Sequence, residues 1–340
     1  MSLEQIWGLD DRGRTAWTVK GADHGVVFSV QGPTPKTIAA VDGPRLYVAG
    51  QAMPTTANLN LHSTVLGAGL ADGKDASVAT LDTPPNGGAM FLPGIRDGRA
   101  YVAVMQGEAT RPTGYGIWAL DLASRKTAWF HGGEPLLENF ALPPGGDGLL
   151  IGDTGHLTGL DAKGAEAWKQ SVQSLAVGAV GRYAVVVDTS GTLTVLDPAT
   201  GNKVWSLPGV EGAALRGGAV AADPDGSVLY ALLRDGDGRH SLAALDSASG
   251  MKRWTALLPP EDAKSTVVRA RLLYADKTVY RMDSGAVLWA FDPADGTPRW
   301  KYTGMEGTDP VNLAWAAGDG RLCVSDTAGT TVAALHANGA

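Results

Sequence analysis

The sequence writes one phrase six times. Aligned on an acidic residue, the copies are IWGLDDRGRTAW (Asp10), IWALDLASRKTAW (Asp121), LTGLDAKGAEAW (Asp161), LTVLDPATGNKVW (Asp197), LAALDSASGMKRW (Asp246) and LWAFDPADGTPRW (Asp292). A worn copy, VLGAGLADGKDAS, has Gly69 and Ser77 where the others have Asp and Trp, and VAALHANGA carries His336 in the Asp position. The anchors 10, 69, 121, 161, 197, 246, 292 and 336 lie 59, 52, 40, 36, 49, 46 and 44 residues apart. A period in the forties identifies a repeat architecture, and both helical repeats and propellers have units of that length.

Local pattern decides between them. Runs such as RLYVAG, RAYVAV, GLLIGD, YAVVVD, VLYALL, KTVYRM and RLCVSD are short, β-branched or aromatic, and bounded by Gly, Asp and Pro. Almost nothing in the chain holds a 3.6-residue period for three turns, so strands are expected. Each unit reads as four short antiparallel strands, the blade of a β-propeller. Within the phrase, the Asp side chain caps a turn by accepting backbone N–H bonds, a following Pro suits the first corner, and Gly supplies a positive φ angle. The Trp opens the outer strand, where a flat ring with one N–H donor covers the seam to the next blade and bonds a carbonyl there. Asp10, Asp121, Asp161, Asp197, Asp246 and Asp292 are therefore expected as turn caps. Trp17, Trp129, Trp168, Trp205, Trp254 and Trp300 are expected to dock blade on blade.

These units resemble the tryptophan-docking repeats of the PQQ-like β-propeller family. Its members include quinoprotein alcohol dehydrogenases, the outer-membrane assembly lipoprotein of Gram-negative bacteria, and receptor-type bacterial serine/threonine kinases. The resemblance runs from Ile6 to about Leu335 and is specific for the fold, not for an activity. The six internal units anchored at 69, 121, 161, 197, 246 and 292 make six blades. A seventh pairs the C-terminal strands, from about Val311 to Leu335, with the N-terminal outer strand that contains Trp17. Both ends carry a third-strand copy and the first interval is long, so eight blades is the alternative. Residues 1–340 are expected to form a single all-β propeller domain closed by its terminal strands. MSL leads almost directly into a repeat already under way, so the chain is expected to be part of a longer or membrane-anchored protein.

Composition narrows the chemistry. The charges, 28 Lys+Arg against 35 Asp+Glu for a net of −7, are spread in ones and twos, which argues against nucleic acid or an anionic membrane surface as partner. No apolar run approaches the ~20 residues of a membrane-spanning helix. Cys323 is the single cysteine, so neither an intrachain disulfide nor a multi-cysteine metal site is available, and its place in RLCVSD suggests a small buried hydrophobe. There is no GxSxG elbow, P-loop, HExxH helix or dinucleotide fingerprint. For quinoprotein members the resemblance implies PQQ, a calcium held by carboxylate and amide oxygens, a catalytic Asp and often a vicinal disulfide. That disulfide is impossible here, and no residue matches the catalytic positions, so no catalytic residue, metal site or cofactor is expected. A ring of the repeated Asp residues would suit calcium, but each lies in the same turn of a different blade. The histidines, His24, His62, His131, His156, His240 and His336, lack ligand spacing and are expected in loops or on the surface.

Propellers bind at one end of the axis, where loops of several blades converge. The turns between second and third strands are minimal at Asp153, Asp188 and Asp326. They are longer at QAMPTTANLNLH, QGEATRPTGYG and RDGDGRH. The longer turns are expected to project from one rim and to offer Gln51, Asn58, Arg111, Tyr115, Arg234 and His240 as a recognition face. Neutral drift of surface loops explains the same insertions. The expected function is a non-enzymatic, extracytoplasmic sensor or assembly module of bacterial origin that serves as a scaffold for a protein partner or a small envelope ligand. A PQQ- and calcium-binding dehydrogenase is the alternative. A carbohydrate binder would need exposed aromatics, but Trp7, Trp118 and Trp289 share one position, three before the Asp, and are expected to pack alike.

Overall fold

In the computed structural model each Asp-to-Trp phrase is an antiparallel hairpin with a β-bulge just ahead of the Trp. The bulge sets the ring opposite the residue two before the anchor, giving the pairs Gly8 with Trp17, Ala119 with Trp129, Gly159 with Trp168, Val195 with Trp205, Ala244 with Trp254 and Ala290 with Trp300. Five of these partners are Gly or Ala, because a large ring needs a small residue across the ladder. The structure describes residues 4–10, 12–28, 39–53, 62–81, 86–108, 111–134, 139–143, 148–153, 155–172, 174–210, 220–235, 237, 239–258, 271–283, 285–305, 313–318, 320–326 and 332–336.

The fold is an all-β, seven-bladed propeller of four-stranded antiparallel blades. Among the described residues the single helical element is a 3-10 turn, Gly21–His24. Contacts divide the chain into two units, residues 1–137 with 163–165, and residues 138–162 with 166–340. Blades are named here by their anchor residue.

The first unit holds the hairpin Gln5–Leu9 and Thr15–Lys20, the Gly69 blade and the Asp121 blade. In the Gly69 blade the inner strand comes in two pieces, Val26–Phe28 and Ala39–Asp42, which pair with successive stretches of Arg45–Ala52. Ser63–Gly69 and Ser77–Thr80 complete it. The divided inner strand accounts for the long first interval. The Asp121 blade has the longest strands, Asn86–Arg96, Arg99–Glu108, Arg111–Asp121 and Lys126–Glu134. The stretch QGEATRPTGYG was expected as a long turn. It is instead mostly strand, pairing Arg111 with Glu108, because the ladder between the second and third strands continues out to that pair.

The second unit holds the Asp161, Asp197, Asp246 and Asp292 blades, each with four strands in chain order, and a three-stranded sheet of Leu313–Gly318, Arg321–Asp326 and Val332–His336. Apolar side chains collect between consecutive sheets. Val185, Val195, Leu229 and Leu245 fill the seam between the Asp197 and Asp246 blades, and Leu242, Val279, Trp289 and Phe291 fill the next. In the first unit Val65, Leu92, Val102 and Leu120 do the same. Within each unit, among the described residues, the core is a series of seams between consecutive sheets. Cys323 corrects the sequence reading: Leu322 and Val324 take the buried face, and alternation leaves the thiol exposed on the other.

Candidate functional site

The turn Asp residues act locally. Asp197 Oδ1 accepts from the N–H groups of Ala199 and Thr200 at 2.9 and 3.0 Å, and Asp121 Oδ1 accepts from Ser124 N–H and Oγ. Asp10, Asp246 and Asp292 add an arginine: Arg14, Arg253 and Arg299 lie 2.7, 3.0 and 2.9 Å from the carboxylates. The Arg253 guanidinium, then the Ser249 hydroxyl and N–H, hold the Asp246 carboxyl down at about 2. Arg14 first lowers Asp10, Ser124 first lowers Asp121, and the Ala294 N–H and then Arg299 lower Asp292. Asp161 lies exposed in its turn.

The tryptophans are placed by a repeated rule. Trp17, Trp168, Trp205 and Trp254 each donate their indole N–H to the carbonyl one residue past an anchor in the following blade: Leu70 at 3.1 Å, Pro198 at 2.9 Å, Ser247 at 2.8 Å and Pro293 at 3.0 Å. The ring then lies flat on the turn glycine. A Cβ added at Gly73, Gly201, Gly250 or Gly296 would stand 2.5–2.9 Å from an indole atom, and Trp129 covers Gly164 in the same way. These glycines have φ between +68° and +79°. Two demands therefore fall on one residue, a left-handed backbone and the absence of a Cβ under the ring.

A second-strand tyrosine shares the arrangement and was missed in the sequence. Tyr101, Tyr230 and Tyr280 pair across the small residue with Trp129, Trp254 and Trp300, at 5.8, 6.0 and 5.9 Å between ring centroids. Tyr47 holds the same place in the Gly69 blade, opposite Gly67, but the residue across Gly67 is Ser77. At this seam the turn position that is glycine elsewhere is Arg125, with φ +59°. A cavity of about 550 Å³ opens there, walled by Tyr47, Gly67, Ser77 and the carboxylates Asp42 and Asp75 on one blade and by Leu120, Leu122 and Arg125 on the other. Arg45 lines it too, donating from Nη2 to the Asp75 carbonyl at 2.9 Å and to the Ser77 hydroxyl at 3.5 Å, with its guanidinium 6.0 Å from the Tyr47 ring.

The residues expected on one recognition face are differently disposed. Gln51 and His240 are buried at 9% and 5% exposure at strand ends, Tyr115 is half-buried on the long third strand of the Asp121 blade, and Arg234 is exposed. Gln51 and Tyr115 belong to the first unit, Arg234 and His240 to the second. Arg111 lies on a strand, its side chain outside the described residues, as is Asn58 altogether. The RDGDGRH turn is capped by Asp235, which accepts from the N–H groups of Asp237 and Arg239, as Asp153 and Asp188 cap theirs. Asp283, in the corresponding place, adds a bond from Trp289 Nε1 at 3.1 Å. The legible signal for this second set was an Asp directly after the second strand, as in GLLIGD and YAVVVD. Trp7, Trp118 and Trp289 do not pack alike. Trp118 is fully buried, Trp289 is 8% exposed and Trp7 is 36% exposed, because the Gln5–Leu9 hairpin is a two-stranded sheet. His24, His156 and His336 are exposed, whereas His131 is half-buried, its Nδ1 3.1 Å from the Gly164 carbonyl.

Among the described residues no three His, Cys, Asp or Glu side chains gather as metal ligands, and no helix is long and apolar enough to cross a membrane. No curated protein sequence matches the chain. Among solved structures, the quinohemoprotein alcohol dehydrogenase ADHIIG from Pseudomonas putida HK5 is 12% identical with a TM-score of 0.58, covering 95% of this chain and 67% of that one. The computationally designed Ika8 protein is 13% identical with a TM-score of 0.51, covering 90% of this chain and 97% of that one. BamB from Moraxella catarrhalis is 20% identical with a TM-score of 0.46, covering 73% of this chain and 82% of that one. At such identities the likeness to the first two speaks to fold alone. The sequence profile of the family described as outer membrane protein assembly factor BamB matches residues 108–237 and 153–340, and with well over half of its length so matched the chain belongs to that family of PQQ-like repeat propellers.

Proposed function

We propose that this propeller is a non-enzymatic binding platform of the bacterial cell envelope that docks a protein partner, and that it works as an assembly or sensor module. The observation that carries the reading is the match to the assembly-factor family over residues 108–340. The structure supplies a suitable feature in the Asp121 blade. Its second and third strands, of 10 and 11 residues against 8 and 7 in the Gly69 blade, are longer by about 7 and 13 Å at ~3.3 Å per residue. An extended hairpin on a rigid blade exposes backbone and side chains without the ordering cost of a loose loop. Tyr115 on this hairpin and Arg234 in the second unit are the described residues offered to a partner.

The test is site-specific photo-crosslinking in envelope extracts, with the photoreactive residue at position 115, 234 or, as control, 169 on the outer strand Glu166–Ser171. A discrete adduct from position 115 or 234 and none from 169 supports the reading. Equal labelling at all three positions overturns it.

A further inference from the structure

The seam between the Gly69 and Asp121 blades retains the parts that receive an indole, but not the indole. Tyr47 stands where three other tyrosines meet a tryptophan ring. Gly67 keeps the small residue across from the Trp position, which Ser77 occupies. The Leu122 carbonyl stands one residue past the anchor, the place from which Leu70, Pro198, Ser247 and Pro293 accept an indole N–H. We propose that this cleft receives a tryptophan side chain of a partner polypeptide, which supplies in trans the ring that Ser77 does not.

Arg125 explains why the ring comes from outside. In the docked seams the indole is tethered to its own outer strand and lies flat on a glycine that has no room for a Cβ. At Arg125 that path is closed by the side chain itself, so a tryptophan at position 77 would meet it. A ring entering from solvent is not held to that path. It inserts along Tyr47, turning aside the Arg45 guanidinium that reaches the Ser77 hydroxyl at 3.5 Å, and the exposed Arg125 guanidinium covers its outer face in a cation–π contact. The cavity of about 550 Å³ leaves room for the adjoining backbone of the incoming segment. A phenyl ring fills the same space but has no N–H for the Leu122 carbonyl, so the chemistry selects tryptophan.

The inference rests on the binding-platform reading and names its partner chemistry. The probe is 5-fluoro-N-acetyltryptophanamide, titrated into the full chain and followed by fluorine NMR. Saturable binding with a dissociation constant on the order of 1 mM is expected for a fragment of this size, several-fold tighter than for 4-fluoro-N-acetylphenylalaninamide. The double substitution Ser77→Trp with Arg125→Gly rebuilds the in-chain docking. It is expected to weaken the probe at least tenfold and to raise the thermal midpoint. Absence of saturation by roughly ten times that constant, or unchanged binding in the double variant, overturns the proposal. Should the double variant fail to fold, Tyr47→Ser decides, since probe binding unaffected by loss of that ring is equally fatal. Probe failure with crosslinks from positions 115 or 234 intact removes the indole receptor and leaves the platform. Probe binding without those crosslinks does the reverse.

Discussion

Replacing Gly250 with alanine adds two costs that can be separated. The residue has φ +73°, where a Cβ costs about 1 kcal/mol whatever surrounds it. The new Cβ would also stand 2.7 Å from Trp205 Cδ2, so the indole must lift, strain its bond to the Ser247 carbonyl and open the seam. Overpacking of this kind costs about 1–3 kcal/mol, which brings the expected loss to about 2–4 kcal/mol. Gly13 supplies the control: it has the same φ of +73° and nothing within 4 Å of an added Cβ, so Gly13→Ala should lose only about 1 kcal/mol. Urea unfolding of both variants gives the comparison. Repeating Gly250→Ala in a Trp205→Ala background should leave only the backbone cost, since the ring that clashes is gone. Equal losses at the two glycines, or an unchanged loss at Gly250 without Trp205, would refute the view that the glycine is there for the ring.

Other consequences are open to similar measurement. Arg125→Gly relieves a left-handed non-glycine backbone where no ring is docked, and should stabilise the chain by about 1 kcal/mol in the same urea assay. Asp283→Ala removes the acceptor of Trp289 Nε1 and of two turn N–H groups at a buried site, and should cost about 2–4 kcal/mol. The carboxyl of Asp246 sits at about 2 in the fold against 3.8 in the unfolded chain, so its stabilisation is complete above pH ~4 and is lost as pH falls towards 2. Asp10, Asp121 and Asp292 shift in the same direction. The thermal midpoint should accordingly fall across that window, and Asp246→Asn should flatten part of the slope. An unchanged slope in that variant would count against the assignment.

The architecture was legible because the anchor Asp and the docking Trp each solve a local problem that recurs in every blade. What remained hidden was the reason for a residue when two reasons coincide. The turn glycines read as positive-φ positions, and nothing in the letters reveals that a ring from the preceding blade also lies on them. The tyrosine of RAYVAV, VLYALL and KTVYRM reads as β propensity alone, because its partner is some 20–30 residues away and is identified only by register. Ser77 was visible as a departure from the phrase, but the compensating Arg125 belongs to another blade. The candidate face was less legible. Loop length does not predict burial, so Gln51 and His240 turned inward, and QGEATRPTGYG became strand because backbone pairing outcompetes a turn where a hairpin can simply continue. Trp7, Trp118 and Trp289 share a position in the phrase but not a neighbourhood.

The measurement that bears most directly on a non-catalytic platform is thermal unfolding with and without PQQ plus calcium. A ligand at a hundred times its dissociation constant adds about 2.7 kcal/mol, which for a chain of this size raises the midpoint by roughly 4 °C. The account predicts superimposable transitions. A rise of that size would contradict it and require a quinone site in the propeller.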